Sequence, residues 1–306
     1  MQGDVRGSGT LVTGGSGLLG LNWALARRRT GRVVLGMHRR TVCIDGCEVA
    51  EVRLDRAGEF AECLRRLRPA WVLHAAGLAD VDRCEADPVR AFEDNVSLAT
   101  NVARACAVEG VQLVHVSTDH LFDGSRTLVS EDEPMRPLNE YGRTKAEAES
   151  RVLAECPGAL VVRTNFFGWG PAWRRSFSDF ILDAGRRQQP VNAWVDVHHT
   201  PISVSALATA IESLVAAGTR GVVHAVGDER ISKYDLAVLI ARHFRLDPSF
   251  LRPARACEAS GRVPRPLDMS LSNARLRSVL GRGVGSAADM VGDLGDVVPH
   301  EIGALR

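Results

Sequence analysis

Only two tyrosines occur in the 306 residues of this chain, and only two of its 38 lysines and arginines are lysines. Arginine therefore carries nearly all the positive charge. It can replace lysine on a solvated surface, but not where a compact ammonium must hydrogen-bond a ligand hydroxyl. Excess charge of either sign is also missing. The formal net charge is +1, which removes the electrostatic case for nucleic acid or an anionic membrane as partner. No apolar run approaches the length of a membrane helix. The polar, glycine-rich start has no signal-peptide core, so a cytoplasmic protein is expected. The seven cysteines are odd in number and scattered. Cys43 and Cys47 form the only close pair, and reduced thiols are expected rather than a disulfide framework or a zinc site. His198 and His199 are neighbours, and neighbours on an extended segment face opposite ways. No metal site is expected.

What is present is concentrated. One tyrosine and one lysine form Tyr141-x-x-x-Lys145. Residues four apart on a helix share a face, so phenol and ammonium can act on one site. A free phenol has a pKa of roughly 10, and a nearby ammonium stabilises its anion. The remaining pair, Lys233-Tyr234, is adjacent in sequence and carries no such implication.

Near the front, Thr10–Thr13 reads as a buried strand. It runs into Gly14-Gly15-Ser16-Gly17-Leu18-Leu19-Gly20 and then an amphipathic stretch. Strand, glycine turn and helix in that order give the context of a dinucleotide site. Gly14 makes the tight turn, Gly17 admits a pyrophosphate, and Gly20 lets helix and strand pack closely. Ser16, Leu18 and Leu19 complete the loop and first helical turn, whose free amides face the phosphates. The next strand ends in Met37-His38-Arg39-Arg40, with no acid to hold a ribose 2′-hydroxyl. His38, Arg39 and Arg40 instead favour NADP(H) over NAD(H). A third strand runs to Asp55. A fourth, Ala70–His74, is a continuous apolar run ending in the small residues Ala75-Ala76-Gly77, where a strand meets a ligand crevice. These positions are assigned to the cofactor.

Helices are expected over 57–67, from the Asp87-Pro88 start to about Glu109, and over 139–156; strands are expected over 111–117 and 159–163. This alternation predicts an α/β fold: a Rossmann-type doubly wound parallel sheet with a smaller C-terminal substrate-binding lobe. Residues 1–165 are assigned to cofactor binding and 166–306 mainly to the lobe, with segments in about 194–226 returning to the sheet. The second half is broken by prolines. Helices are expected there over 203–217, 232–244 and 272–280, and the glycine-rich chain beyond Gly281 gives no clear pattern.

Three further segments complete a recognisable set. They are Ser117-Thr118-Asp119-His120-Leu121-Phe122-Asp123-Gly124, Asn139-Glu140-Tyr141-Gly142-Arg143-Thr144-Lys145, and Arg163-Thr164-Asn165-Phe166-Phe167-Gly168. With the glycine loop they resemble the extended short-chain dehydrogenase/reductases. Ser-Thr-Asp-x-x-Phe-Asp-Gly and the late Arg265-Pro266 are most similar to the dTDP-4-dehydrorhamnose reductase branch. The resemblance implies a ketoreductase acting on a nucleotide-activated deoxysugar, at C4. Tyr141 would be the proton donor. Lys145 would bind the nicotinamide ribose and depress the tyrosine pKa, and Thr118 (less so Ser117) would hold the carbonyl oxygen. Asn95 matches a family asparagine. Asp119, His120, Asn165, Phe166 and Trp169 would face the substrate, and an arginine among Arg174 and Arg175, beside Trp173, could grip a diphosphate. His120 and Phe166 depart from the usual tyrosine and tryptophan, which leaves the sugar open. Two alternatives remain at this point: an epimerase or dehydratase, and a non-catalytic subunit like the regulatory subunit of methionine adenosyltransferase. Oligomeric state is open, a homodimer being common among such relatives.

Overall fold

The computed structural model describes residues 9–258 and 261–295. Six strands, β1 (Thr10–Thr13), β2 (Val33–Met37), β3 (Glu48–Glu51), β4 (Trp71–His74), β5 (Gln112–Val116) and β6 (Leu160–Arg163), lie in the order β3-β2-β1-β4-β5-β6. All neighbouring pairs are parallel. The Rossmann expectation is met. Strand order reverses between β1 and β4, and the crevice at their carboxyl ends is where such sheets bind ligands.

Each central strand is apolar on both faces, because helices cover both. Val12, Leu35, Leu73, Val114 and Val162 pack into one buried cluster, and Leu11, Val34, Val72, Leu113 and Val161 into the other. The period of two in strand side chains produces this division. Helices α1 (Leu18–Arg27) and α2 (Ala57–Leu67) follow β1 and β3. Short α3 (Val81–Ala86) and α4 (Pro88–Phe92) follow β4, capped by the side chains of Asp80 and Asp87. The long helix expected after Asp87-Pro88 is present, but it contains a π-helical turn, Glu93–Ser97, before α5 (Leu98–Glu109). α6 (Glu140–Glu155) begins where expected, with the Asn139 side chain accepting from the Gly142 amide.

Beyond β6 the chain alternates between lobe and sheet. β7 (Phe166–Phe167) precedes α7 (Phe177–Arg186), which leads to β8 (Val191–Trp194), β9 (His198–His199) and β10 (Ile202–Ser203). α8 (Val204–Ala216) packs on α1, and β11 (Gly221–His224) pairs in parallel with β6, adding a seventh strand to the sheet edge. The lobe then forms from β12 (Ile231–Ser232), α9 (Lys233–His243) and β13 (Leu251–Ala254). β13 pairs with β8, and β12 with β9. α10 (Ala274–Leu280) and α11 (Ala287–Gly292) end the described chain.

Besides short α3, two helices had no sequence expectation, α7 and α11. Both start with a capping box, Ser176 with Asp179 and Ser286 with Asp289. That signal was present in the sequence, but prolines and glycines around it obscured it. Among the described residues no helix is long and apolar enough to cross a membrane, and no three His, Cys, Asp or Glu residues group to hold a metal.

Candidate active site

The glycine loop crosses from β1 to α1 at the crevice. Gly14 has φ +71°, and a Cβ there would stand 2.8 Å from the Ala76 amide nitrogen. A side chain is excluded both by conformation and by the backbone of Ala75-Ala76. A Cβ on Gly20 would meet the Gly14 carbonyl oxygen at 2.8 Å. Thus 75–77 and the loop are pressed together at the topological switch point. Gly17 is the N-cap of α1 and offers no side-chain cap, whereas side chains of Asn139, Ser176, Ser203 and Ser232 cap α6 to α9. The first amides of α1 are left for a ligand, and an anion fits them. Ser16 and Leu18 lie half-buried in this loop, while Leu19 is buried in the core.

His38, Arg39 and Arg40 are exposed at the end of β2. Arg39 approaches Asp94 at 3.9 Å, and Arg40 lies 4.2 Å over the Trp173 ring. Asp55 is exposed and paired with Arg53. Asn95 sits in the π turn and is buried. Its Oδ1 accepts from the Leu78 amide at 2.7 Å, and its Nδ2 donates to the Leu78 carbonyl and to Thr144 Oγ1, both at 3.0 Å. It ties the loop after β4 to α6, one residue from Lys145.

Tyr141 and Lys145 share one face of α6, beside the end of β5. Lys145 is buried, and its Nζ donates to the Val116 carbonyl at 2.7 Å and lies 3.3 Å from His115 Nε2. Burial lowers its pKa to about 8. The His115 ring stacks on His74, and His74 Nδ1 meets Thr13 Oγ1 at 2.7 Å. Burial pushes both imidazoles well below their usual range, so both are neutral. Sequence reading did not single out this histidine pair, which strand register places side by side.

The expected depression of the Tyr141 pKa is not what the geometry gives. Burial is the largest influence and raises it to about 12, and a hydrogen bond with the Thr118 side chain offsets only part of this. The Lys145 ammonium is directed at a carbonyl and a histidine instead. Thr118 also donates to Asp119 Oδ1 at 3.2 Å and accepts from the His120 amide. Ser117 is buried, and its hydroxyl has no hydrogen-bond partner among the described residues. Asp119 is buried and accepts from Asn165 Nδ2. The ring of His120 stands against that of Tyr141, and burial keeps its pKa low.

Above this group opens a cavity of about 680 Å³, lined by His120 and Asn165 and by α7, β8, the start of α9 and the segment 262–267. Three assigned positions are not part of its lining: Asp119, which accepts from Asn165, and the aromatic residues Phe166 and Trp169. Trp169 is 1% exposed, its indole nitrogen donates to the Leu294 carbonyl at 3.0 Å, and it packs on Phe244. It is a core residue. Phe166 pairs in the β7–β10 bridge and packs on the same core. Arg175 is paired with Asp183, while Arg174 is exposed and its charge acts on Tyr141. Residues that sequence reading missed line the cavity instead, notably Trp194, Lys233 and Arg262, together with Arg265 of the late Arg-Pro motif, which had been given no site role.

The sequence matches the family described as the RmlD substrate binding domain over residues 8–286. It is 32% identical over 277 residues to a dTDP-4-dehydrorhamnose reductase of Mycobacterium tuberculosis, covering 87% of this chain and 84% of that one. It is 30% identical over 302 residues to a probable dTDP-4,6-dihydroxy-2-methyloxan-3-one 4-ketoreductase of Streptomyces antibioticus, covering 96% of each. The methionine adenosyltransferase 2 subunit beta of Xenopus laevis is 29% identical over 284 residues, with 88% of this chain and 81% of that one covered. Among solved structures, a dTDP-4-dehydrorhamnose reductase of Bacillus anthracis in complex with NADP superposes with a TM-score of 0.81 at 21% identity, covering 94% of this chain and 99% of that one.

Proposed function

The chain belongs to the RmlD substrate binding domain family, and from that premise and its site we propose that it reduces the C4 ketone of a nucleotide-activated deoxysugar with NADPH. The observation that carries the reading is the convergence of Tyr141, Thr118 and Lys145 between a glycine cradle and a cavity of about 680 Å³. Cofactor binding falls to residues 1–165 and substrate binding mainly to 166–306, with parts of about 194–226 belonging to the sheet.

When bound, NADPH supplies the hydride. The loop Gly14–Gly20 and the amides of α1 hold its phosphates, with Ala75, Ala76 and Gly77 as the facing wall. Arg39 and Arg40 sit where a 2′-phosphate would be met, and no acid stands among residues 37–40; this supports NADP(H) over NAD(H). Lys145, anchored by Val116 and His115, offers its remaining protons to the ribose.

A ketone that accepts hydride builds negative charge on oxygen, and placed hydroxyls stabilise it. Thr118 and Tyr141 share a hydrogen bond, so one oxygen can be met by both. Tyr141 then gives its proton. A phenol pushed up to about 12 is fully protonated at neutral pH, as the reductive direction requires. Asp119 accepts from Asn165. Among the described residues the imidazole beside Tyr141 is that of His120, whose pKa burial keeps low, which disfavours an epimerase or dehydratase. Following NADPH oxidation at 340 nm with nucleotide 4-keto-6-deoxysugars tests the proposal. Stoichiometric oxidation supports it, and tight NADPH binding without turnover on any of them overturns it.

A further inference from the structure

Both lysines of the chain end at this site, although they are 88 positions apart in sequence and arginine serves almost everywhere else. Lys145 is buried beside Tyr141 at the end of β5. Lys233 lines the cavity. Its setting is unfavourable for a cation with no task. It is the first residue of α9, after the Ser232 N-cap, where the helix dipole disfavours positive charge. Burial lowers its pKa, opposed by the charge of Asp119. Among the described residues its ammonium has no hydrogen bond or ion pair, and its ring contact is the face of Phe177 at 5.6 Å. Local rules broken without a structural return mark functional positions.

Among the described residues the cavity lining contains three cations, Lys233, Arg262 and Arg265, and no carboxylate. Two of them are engaged. Arg265 pairs with Asp82 at 2.8 Å, and Arg262 lies over the Trp194 ring at 5.0 Å. Lys233 alone is uncommitted, and it stands at the reacting end. Its charge acts on His120, whose ring rests on Tyr141, and it feels Asp119 beside Thr118.

We propose that Lys233 reads the sugar of the substrate: its ammonium donates to an oxygen of the glycosyl ring and sets which nucleotide sugars the cavity accepts. This deepens the reductase reading and rests on it. A compact ammonium with three donors suits clustered sugar hydroxyls better than a planar guanidinium does. That explains why arginine has not taken this position.

The test is isothermal titration of wild type, Lys233→Met and Lys233→Gln with dTDP, dTDP-glucose and NADPH. A charge-assisted hydrogen bond lost to an uncharged side chain costs about tenfold to a hundredfold in affinity. Both variants should lose that much for dTDP-glucose, less than threefold for dTDP, and nothing for NADPH. Equal losses for dTDP and dTDP-glucose would put Lys233 on the diphosphate and overturn the inference. So would unchanged dTDP-glucose affinity, or no binding of it by the wild type. If the wild type binds dTDP-glucose with this Lys233 dependence but reduces no keto-sugar, the reductase reading fails and Lys233 keeps its place.

Discussion

The ring of His120 stands edge-on to the ring of Tyr141, with centroids 5.6 Å apart and planes at 73°. It walls the phenol on the cavity side, while Thr118 holds the phenol oxygen. A neutral aromatic wall excludes water without supplying charge, so the phenol keeps its proton until an oxyanion forms beside it.

The first prediction concerns that proton. Tyr141→Phe removes the acid and leaves the ring in place. NADPH oxidation should fall about a hundredfold to ten-thousandfold, while NADPH affinity, read by cofactor fluorescence, stays within about threefold of wild type. Near-normal turnover in this variant would remove Tyr141 from the chemistry.

The pH profile should report Lys145. Its pKa is lowered from 10.5 to about 8 by burial, and its charged form is the one that holds the ribose. The rate constant for reduction should therefore decline as pH rises through about 8, while Tyr141, near 12, stays protonated. Lys145→Met should be slow at every pH and lack this alkaline limb. A limb that persists in Lys145→Met assigns it to another group.

Cofactor choice should turn on Arg39. The side chain is 67% exposed and only 3.9 Å from the Asp94 carboxylate, so it is loosely held and free to meet a phosphate. Arg39→Glu should lower kcat/KM for NADPH by about tenfold to a hundredfold, as expected for loss of a charge-assisted contact. It should spare NADH. Steady-state kinetics with both cofactors decide, and an unchanged NADPH/NADH ratio counts against the assignment.

Stability should depend on a pair outside the site. Arg163 and Glu149 are buried, with side chains 4% and 2% exposed, and their closest contact is 2.8 Å. Glu149→Ala leaves a buried guanidinium without its carboxylate, and such a change costs about 3–5 kcal/mol. Urea unfolding monitored by circular dichroism should give a loss of unfolding free energy of that size. A loss under about 1 kcal/mol would mean water reaches Arg163.

Much of this protein was readable from pattern. β4 and α2 fall where runs of apolar residues and helical spacing put them, and α6 and α8 begin after Asn139 and Ser203, where helices were expected to start. The lobe was less readable, because its strands are two to four residues long and pair across distant segments, such as β8 with β13. Trp169 misled because an aromatic residue after a motif looks the same in sequence whether it faces a ligand or, as here, donates to the Leu294 carbonyl in the core. Lys233 shows the opposite case. It looked like an ordinary polar position beside Tyr234, and it is drawn into the cavity by residues far away in sequence.

By itself the sequence determined the sheet, the glycine cradle and the Tyr141/Lys145 pairing, because each depends on spacings within one strand, turn or helix. Only the tertiary structure decided what surrounds the phenol, which way the Lys145 ammonium points, and that Lys233 enters the cavity. Those follow from burial and from contacts across the chain, and local periodicity does not encode them.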